Sequence, residues 1–262
     1  MGREVSAMTD AQLPLLGPSA PPVPDWCDLR CCDVAELLAD LAETGVRVDC
    51  VVADPPWAYD QRISGSGLGA EDHYACLSMA DILDHFRAAR QLAAPGSRCL
   101  LWTTWAMLPA FALAGGSTNG EASPGGWRWV SGGSWTKMDA PDDDGGGRGQ
   151  PGIGYHLRSS ESEPYLCLLG PGPHARADVP GSWTATTSGR HSEKPVDLQA
   201  RIIAGWCPPG GLVLDLYAGL GSVARAVHRA GGGRRYVGAE LDTERHAGAL
   251  ALLAQEVSHG AY

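Results

Sequence analysis

The stretch Leu214-Asp215-Leu216-Tyr217-Ala218-Gly219-Leu220-Gly221-Ser222 decides the fold. A short apolar run over residues 212–216 passes through a carboxylate into two closely spaced glycines, and residues 223–230 then take up helical spacing. That order predicts strand, tight turn and helix, with glycines that let a ligand lie against the backbone. The next strand, residues 235–239, ends on the acidic Glu240, about twenty residues on, the offset at which a carboxylate grips ribose hydroxyls. The spacing is not that of a dinucleotide fingerprint, because Ala224 stands three residues after Gly221. Residues 242–256 return to helical spacing. Strand and helix in alternation imply a parallel sheet with helices on both faces.

The same grammar extends toward the N-terminus. Residues 33–43 space their apolar side chains as a helix, with Asp33 placed to cap it. Residues 48–53 read as a buried strand ended by Pro55 and Pro56. Ser78 and Asp81 open a helix to about residue 93 in the manner of a capping box. Residues 98–102, 127–137 and 164–169 are further strands, and residues 105–114 and 195–206 further helices. Residues 1–25, rich in Pro, Ala and Gly, read as a tail, leaving 26–262 as one domain with inserted loops at about 58–77 and 139–190. The expected class is α/β, a Rossmann-like, mostly parallel sheet.

Composition narrows the function. The 262 residues suit one core, and Gly plus Pro, about a fifth of the chain, stays under the roughly one quarter typical of low-complexity disorder. A net charge of −10 argues against a broad basic face that holds nucleic acid by charge alone. Of 20 basic residues only Lys137 and Lys194 are lysine, which singles both out for attention. Eight cysteines contain no C-x-x-C pair, and Cys50, Cys99 and Cys167 lie in apolar runs, so no metal is expected and a reducing cytoplasm fits. The longest apolar stretch, residues 99–114, is broken by Thr103, Thr104 and Pro109, so neither a membrane span nor export is expected.

Asp54-Pro55-Pro56-Trp57 follows the strand at 48–53, which puts it at the carboxyl edge of the sheet, where ligands bind. A carboxylate and the Pro55 carbonyl can both accept hydrogens from one amino group, and Trp57 can stack on a flat ring. Such a set holds an exocyclic amino group with its nitrogen turned toward an electrophile. Taken alone, the tetrapeptide reads more readily as a strand-ending turn beside a core tryptophan.

Taken with His191-Ser192-Glu193-Lys194-Pro195 and the glycine stretch, the order of motifs resembles the circularly permuted amino-methyltransferases, specifically the D-P-P-W group that methylates the adenine amino nitrogen. The match spans about residues 29–250. Trp135-Thr136-Lys137 and residues 154–158 resemble the mid-chain segments of that family. The resemblance implies a seven-stranded Rossmann-like sheet with S-adenosyl-L-methionine as methyl donor. It assigns Asp54, Pro55, Pro56 and Trp57 to catalysis. It gives Asp33, Asp54, Lys194, Asp215, Tyr217, Gly219, Gly221 and Glu240 to the cofactor, Asp33 being equally a plain helix cap. Tyr59, His73, Tyr74, Trp135, Lys137 and Arg158 are candidates for the target pocket, core aromatic or surface lysine being the alternative fate. Tyr217, Leu220 and Ser222 stand where relatives with two glycines usually have Phe, Ser and Thr, and the pair of glycines sets the chain nearer the bacterial and phage DNA enzymes than the messenger-RNA branch. The expected partner is DNA. RNA adenosine, or a non-catalytic subunit that binds nucleic acid for an active sister chain, are the alternatives, and a helper subunit or a homodimer is compatible with the acidic charge.

Overall fold

Along Val48–Ala53 the side chains alternate between two interiors: Val51 and Ala53 enter one apolar cluster, Cys50 and Val52 the other. A strand buried on both faces alternates in this way, and it makes the sheet the middle of three layers. The structure, a computed structural model, describes residues 23–58, 75–114, 126–138, 161–188 and 193–259. Their order is β1 (Cys27–Cys31), α1 (Val34–Thr44), β2 (Val48–Ala53), α2 (Met79–Leu92), β3 (Ala93–Trp102), α3 (Met107–Ala114), β4 (Arg128–Met138), β5 (Ser162–Leu169), β6 (Ser182–Thr186), α4 (Val196–Trp206), β7 (Leu212–Asp215), α5 (Ser222–Ala230), β8 (Arg235–Glu240) and α6 (Thr243–Ser258).

Helices α1, α2 and α6 begin at side-chain caps. Asp33 accepts the Ala35 N–H at 2.7 Å, and α1 stops at Gly45 in the left-handed region. Ser78 and Asp81 complete a reciprocal capping box at α2. Leu37, Leu38 and Leu41 of α1 and Ile82, Leu83 and Phe86 of α2 cover the face that Val51 joins. Leu198, Ile202 and Ile203 of α4, Val223 and Val227 of α5, and Leu253 of α6 cover the opposite face.

The sheet has eight strands in the order β1-β8-β7-β2-β3-β5-β4-β6. β1, β8, β7, β2 and β3 run parallel, β5 lies antiparallel to β3 and β4, and β6 runs parallel to β4. The expectation of seven strands is corrected to eight. The strands not read from the sequence are β1 and β6, the two edges of the sheet, and the residues of β6 alternate between half-buried and exposed, with no apolar run. β6 falls within the stretch expected to be an inserted loop. From β2 the chain proceeds outward through β3, whereas from β7 it proceeds the other way to β8. The strand order therefore reverses between β2 and β7, and the crevice at the carboxyl ends of those two strands is where an open α/β sheet binds ligands.

Among the described residues no helix is long and apolar enough to cross a membrane, and no group of three or more His, Cys, Asp or Glu is arranged to hold a metal ion. All eight cysteines are free thiols.

Candidate active site

β2 and β7 pair with Val52 opposite Asp215, so Asp54 and the glycine turn leave the sheet side by side. The turn after β7 is stitched to both neighbours. Leu216 donates its N–H to the Val52 carbonyl at 3.0 Å, and Ala218 donates to Ala239 at 2.9 Å. Gly219 and Gly221 both have positive φ, 53° and 73°. A Cβ on Gly219 would meet nothing within 4 Å, whereas one on Gly221 would press on Ala249 of α6 at 3.0 Å. One glycine thus leaves the backbone open to a ligand, and the other lets α5 start against α6. Gln199 of α4 donates to the Ser222 hydroxyl at 3.0 Å, bracing the start of α5.

Asp215 is buried. Its Oδ2 accepts the Tyr236 hydroxyl at 3.0 Å, and its Oδ1 has no hydrogen-bond partner. Burial pushes this carboxyl up to about 7, with the Tyr236 hydroxyl opposing the shift and the Asp54 carboxylate adding to it. The lack of a side chain at Gly238 makes the contact feasible, because a Cβ there would collide with the Tyr236 hydroxyl.

Glu240 is placed beside this turn, and its carboxylate serves the backbone: Oε2 accepts the Gly219 N–H at 2.7 Å and Oε1 the Asp242 N–H at 2.9 Å. Tyr217 points toward α2, its hydroxyl 2.9 Å from Nδ1 of His85. Burial lowers the His85 pKa, which keeps the imidazole neutral near pH 7, and the nearby carboxylates of Asp33, Asp81 and Asp84 only oppose this. Burial and the same Asp33 carboxylate hold the Tyr217 phenol well above its ordinary range, so Asp33 belongs to this corner as well as capping α1.

The Asp54 turn is tight. Trp57 donates its N–H to the Pro55 carbonyl at 2.8 Å, and Leu77 donates to the Pro56 carbonyl at 3.0 Å. The Trp57 side chain is 3% exposed and meets Phe111 edge-on, with ring centroids 6.0 Å apart. The stacking face expected of Trp57 is therefore corrected: its ring packs in the core under α2 and α3 and anchors the turn. Trp135 is corrected in the same way. It is buried against Trp102 at 6.4 Å, and its indole N–H is satisfied by the Ala185 carbonyl at 3.1 Å. Tyr59, His73, Tyr74 and Arg158 lie outside the described residues.

Both lysines of the chain converge on the Asp54 side of the crevice. Lys194 Nζ is 2.8 Å from Asp54 Oδ2 and 3.0 Å from Glu163 Oε2, and Lys137 Nζ is 2.5 Å from Glu163 Oε1. Lys194 also lies 5.7 Å from the Trp102 ring centroid, and Lys137 5.4 Å from that of Trp135. The Lys194 side chain is 8% exposed and that of Asp54 31%, so the row of alternating charges opens outward at Asp54. Burial would lower Lys194, but Asp54 and Glu163 outweigh it and hold the ammonium above its ordinary range. Burial raises the Asp54 carboxyl, and the Lys194 charge offsets this only in part.

Sequence reasoning brought Asp54, Lys194, Lys137, Asp215, Gly219, Gly221, Glu240, Tyr217 and Asp33 to this one edge. It missed Glu163, Tyr236, His85 and Gln199. Only Glu163 had a signal: a carboxylate just before Pro164 at the mouth of an apolar strand.

A DNA methylase family model, of N6/N4 type, matches residues 174–251, a stretch that holds Lys194, Asp215, both glycines and Glu240 and leaves Asp54 outside. No curated protein sequence matches the chain. Solved structures share the fold. M1.HpyAVI in complex with SAM aligns with a TM-score of 0.59 at 15% identity, over 87% of this chain and 99% of the other. A putative DNA modification methylase from Thermus thermophilus, complexed with S-adenosyl-L-methionine, aligns with a TM-score of 0.56 at 20% identity, over 88% and 94%. PvuII DNA methyltransferase, cytosine-N4-specific, aligns with a TM-score of 0.54 at 14% identity, over 89% and 90%.

Proposed function

We propose that this chain is an S-adenosyl-L-methionine-dependent DNA methyltransferase that modifies the N6 amino group of adenine. The observation that carries the reading is the pairing of β2 with β7, which puts the Asp54 turn and the glycine turn at one crevice where the strand order reverses. The DNA methylase match over residues 174–251 and the donor-bound structural neighbours support it.

The residues present fit the donor. The partnerless buried oxygen of Asp215 suits a cationic amino group, Gly219 offers an open backbone, and Asp33, Tyr217, Glu240 and Lys194 frame the remainder. When bound, the donor supplies a methyl group made electrophilic by its sulfonium. Lys194 occupies Oδ2 of Asp54, leaving Oδ1 and the second lone pair of the Pro55 carbonyl to accept the hydrogens of the target amino group. The amino nitrogen then bonds to the methyl carbon as the carbon–sulfur bond breaks with its electron pair to sulfur. The surplus proton leaves the nitrogen through Asp54 or water. Positioning of this kind is worth effective molarities of about 10⁵ to 10⁸ M. In duplex DNA the adenine must first be flipped out, at a cost of a few kcal/mol.

A cytosine-N4 specificity is the second reading, favoured by the likeness to the PvuII enzyme and by an amino group of the same chemistry. Labelled methyl transfer to DNA and to RNA of matched sequence, followed by nucleoside digestion, separates the readings. The expected product is N6-methyldeoxyadenosine. N4-methyldeoxycytidine would transfer the case to the second reading, and label in RNA alone would overturn DNA as substrate. A chain that binds the donor and methylates neither polymer would be a non-catalytic partner.

A further inference from the structure

Glu163 is the one acid among the described residues that holds both lysines of the chain, and neither its chemistry nor its position is explained by packing alone. It lies at the start of β5 with a mostly buried side chain, and it spends one carboxylate oxygen on each ammonium. Burial by itself would raise its pKa, but the charges of Lys194 and Lys137 reverse that and hold it below the ordinary carboxylate range, so it is ionised at neutral pH. Asp54, Lys194, Glu163 and Lys137 therefore form a row of two negative and two positive charges with no net charge, ending at the crevice between β2 and β7.

We propose that Glu163 is a positioning residue of this site: by bridging Lys137 and Lys194 it fixes Lys194 on one oxygen of Asp54 and cancels an ammonium charge that would otherwise repel a sulfonium. This rests on the function proposed above. Asp54 and Lys194 cancel one another, but Lys137 beside them would leave one positive charge next to a crevice that takes a cationic donor. Glu163 compensates that charge while it holds both lysines in place. The neutral row favours neither the cationic donor nor its neutral thioether product, so product is not retained for reasons of charge.

The test compares the dissociation constants of S-adenosylmethionine, which carries the sulfonium, and S-adenosylhomocysteine, which does not, in the full chain at low salt. Glu163→Gln keeps the shape and leaves one uncompensated positive charge. It is expected to weaken the sulfonium ligand relative to the thioether on the order of tenfold, the scale of one charge acting across a partly buried site. Adding Lys137→Met to Glu163→Gln removes the surplus charge and should return the ratio to within about twofold of wild type. Lys137→Met alone should move the ratio the opposite way, and it serves as the readout if Glu163→Gln fails to fold. A ratio unchanged in these variants, while wild type binds both ligands, overturns the role of Glu163 and leaves the methyltransferase reading intact. Wild type that binds neither ligand overturns that reading and this inference with it.

Discussion

Asp215 shows what a buried carboxyl costs the folded protein. Its folded pKa, about 7, lies above the ordinary 3.8 because burial disfavours the charged form. Between those values the folded chain holds a proton that the unfolded chain releases, so this group makes stability fall as pH rises from about 4 to about 7, and the loss persists above. Asp215→Asn should therefore melt higher than wild type at pH 8, by on the order of 1 to 3 kcal/mol, with the advantage shrinking toward pH 4. Thermal unfolding at the two pH values checks it; an equal difference at both would contradict the assigned burial cost. The same variant should bind S-adenosylmethionine at least tenfold more weakly, because the partnerless oxygen is lost. Tyr217 is a second residue whose chemistry depends on its neighbour. The departure from Phe adds a hydroxyl that would be left unsatisfied in a half-buried corner, and His85 supplies its partner at 2.9 Å. His85→Leu should thus destabilise the chain by about 1 to 2 kcal/mol, and Tyr217→Phe in that background should recover most of it in a denaturant titration.

At the scale of elements, the turn between β7 and α5 is held by backbone geometry. Gly221 has φ of 73°, and an added Cβ would press on Ala249. Gly221→Ala should destabilise by about 1 to 3 kcal/mol and loosen α5 against α6. Urea unfolding that shows no change would mean the turn adapts. Most elements were legible because they announce themselves locally: Asp33, Ser78 and Asp242 cap helices where the apolar period begins, and β2 and β7 are short, mostly apolar runs. β6 was not legible, since an edge strand with one half-buried face needs no apolar run. The buried fates of Trp57 and Trp135 were not legible either, because a ring-stacking tryptophan and a core tryptophan have the same sequence, and only the presence of Phe111 and Trp102 beside them decides. Glu163 shows the other limit: its partners stand 26 residues before it and 31 after it in sequence, and no local pattern pairs them.

For the whole molecule, the topology makes the site. Asp54 and Gly219 are 165 residues apart in sequence, and they come to one edge because the chain builds β3, β4, β5 and β6 on one side of β2 and returns by α4 to set β7 on the other. The motif order read from the sequence thus becomes a single crevice, with Asp54 beyond one strand end and the glycine turn beyond the next. This arrangement predicts separable functions. On the proposed function Asp54 holds the target amino group, so its loss should remove transfer even at saturating donor, beyond the roughly tenfold weaker donor binding that an uncompensated Lys194 charge brings. The most direct measurement is a single-turnover methyl transfer to adenine-containing DNA, with wild type and Asp54→Asn each saturated with labelled S-adenosylmethionine. Wild type is expected to transfer label to adenine and Asp54→Asn to be slower by at least about a hundredfold. Equal rates in the two proteins would contradict the account.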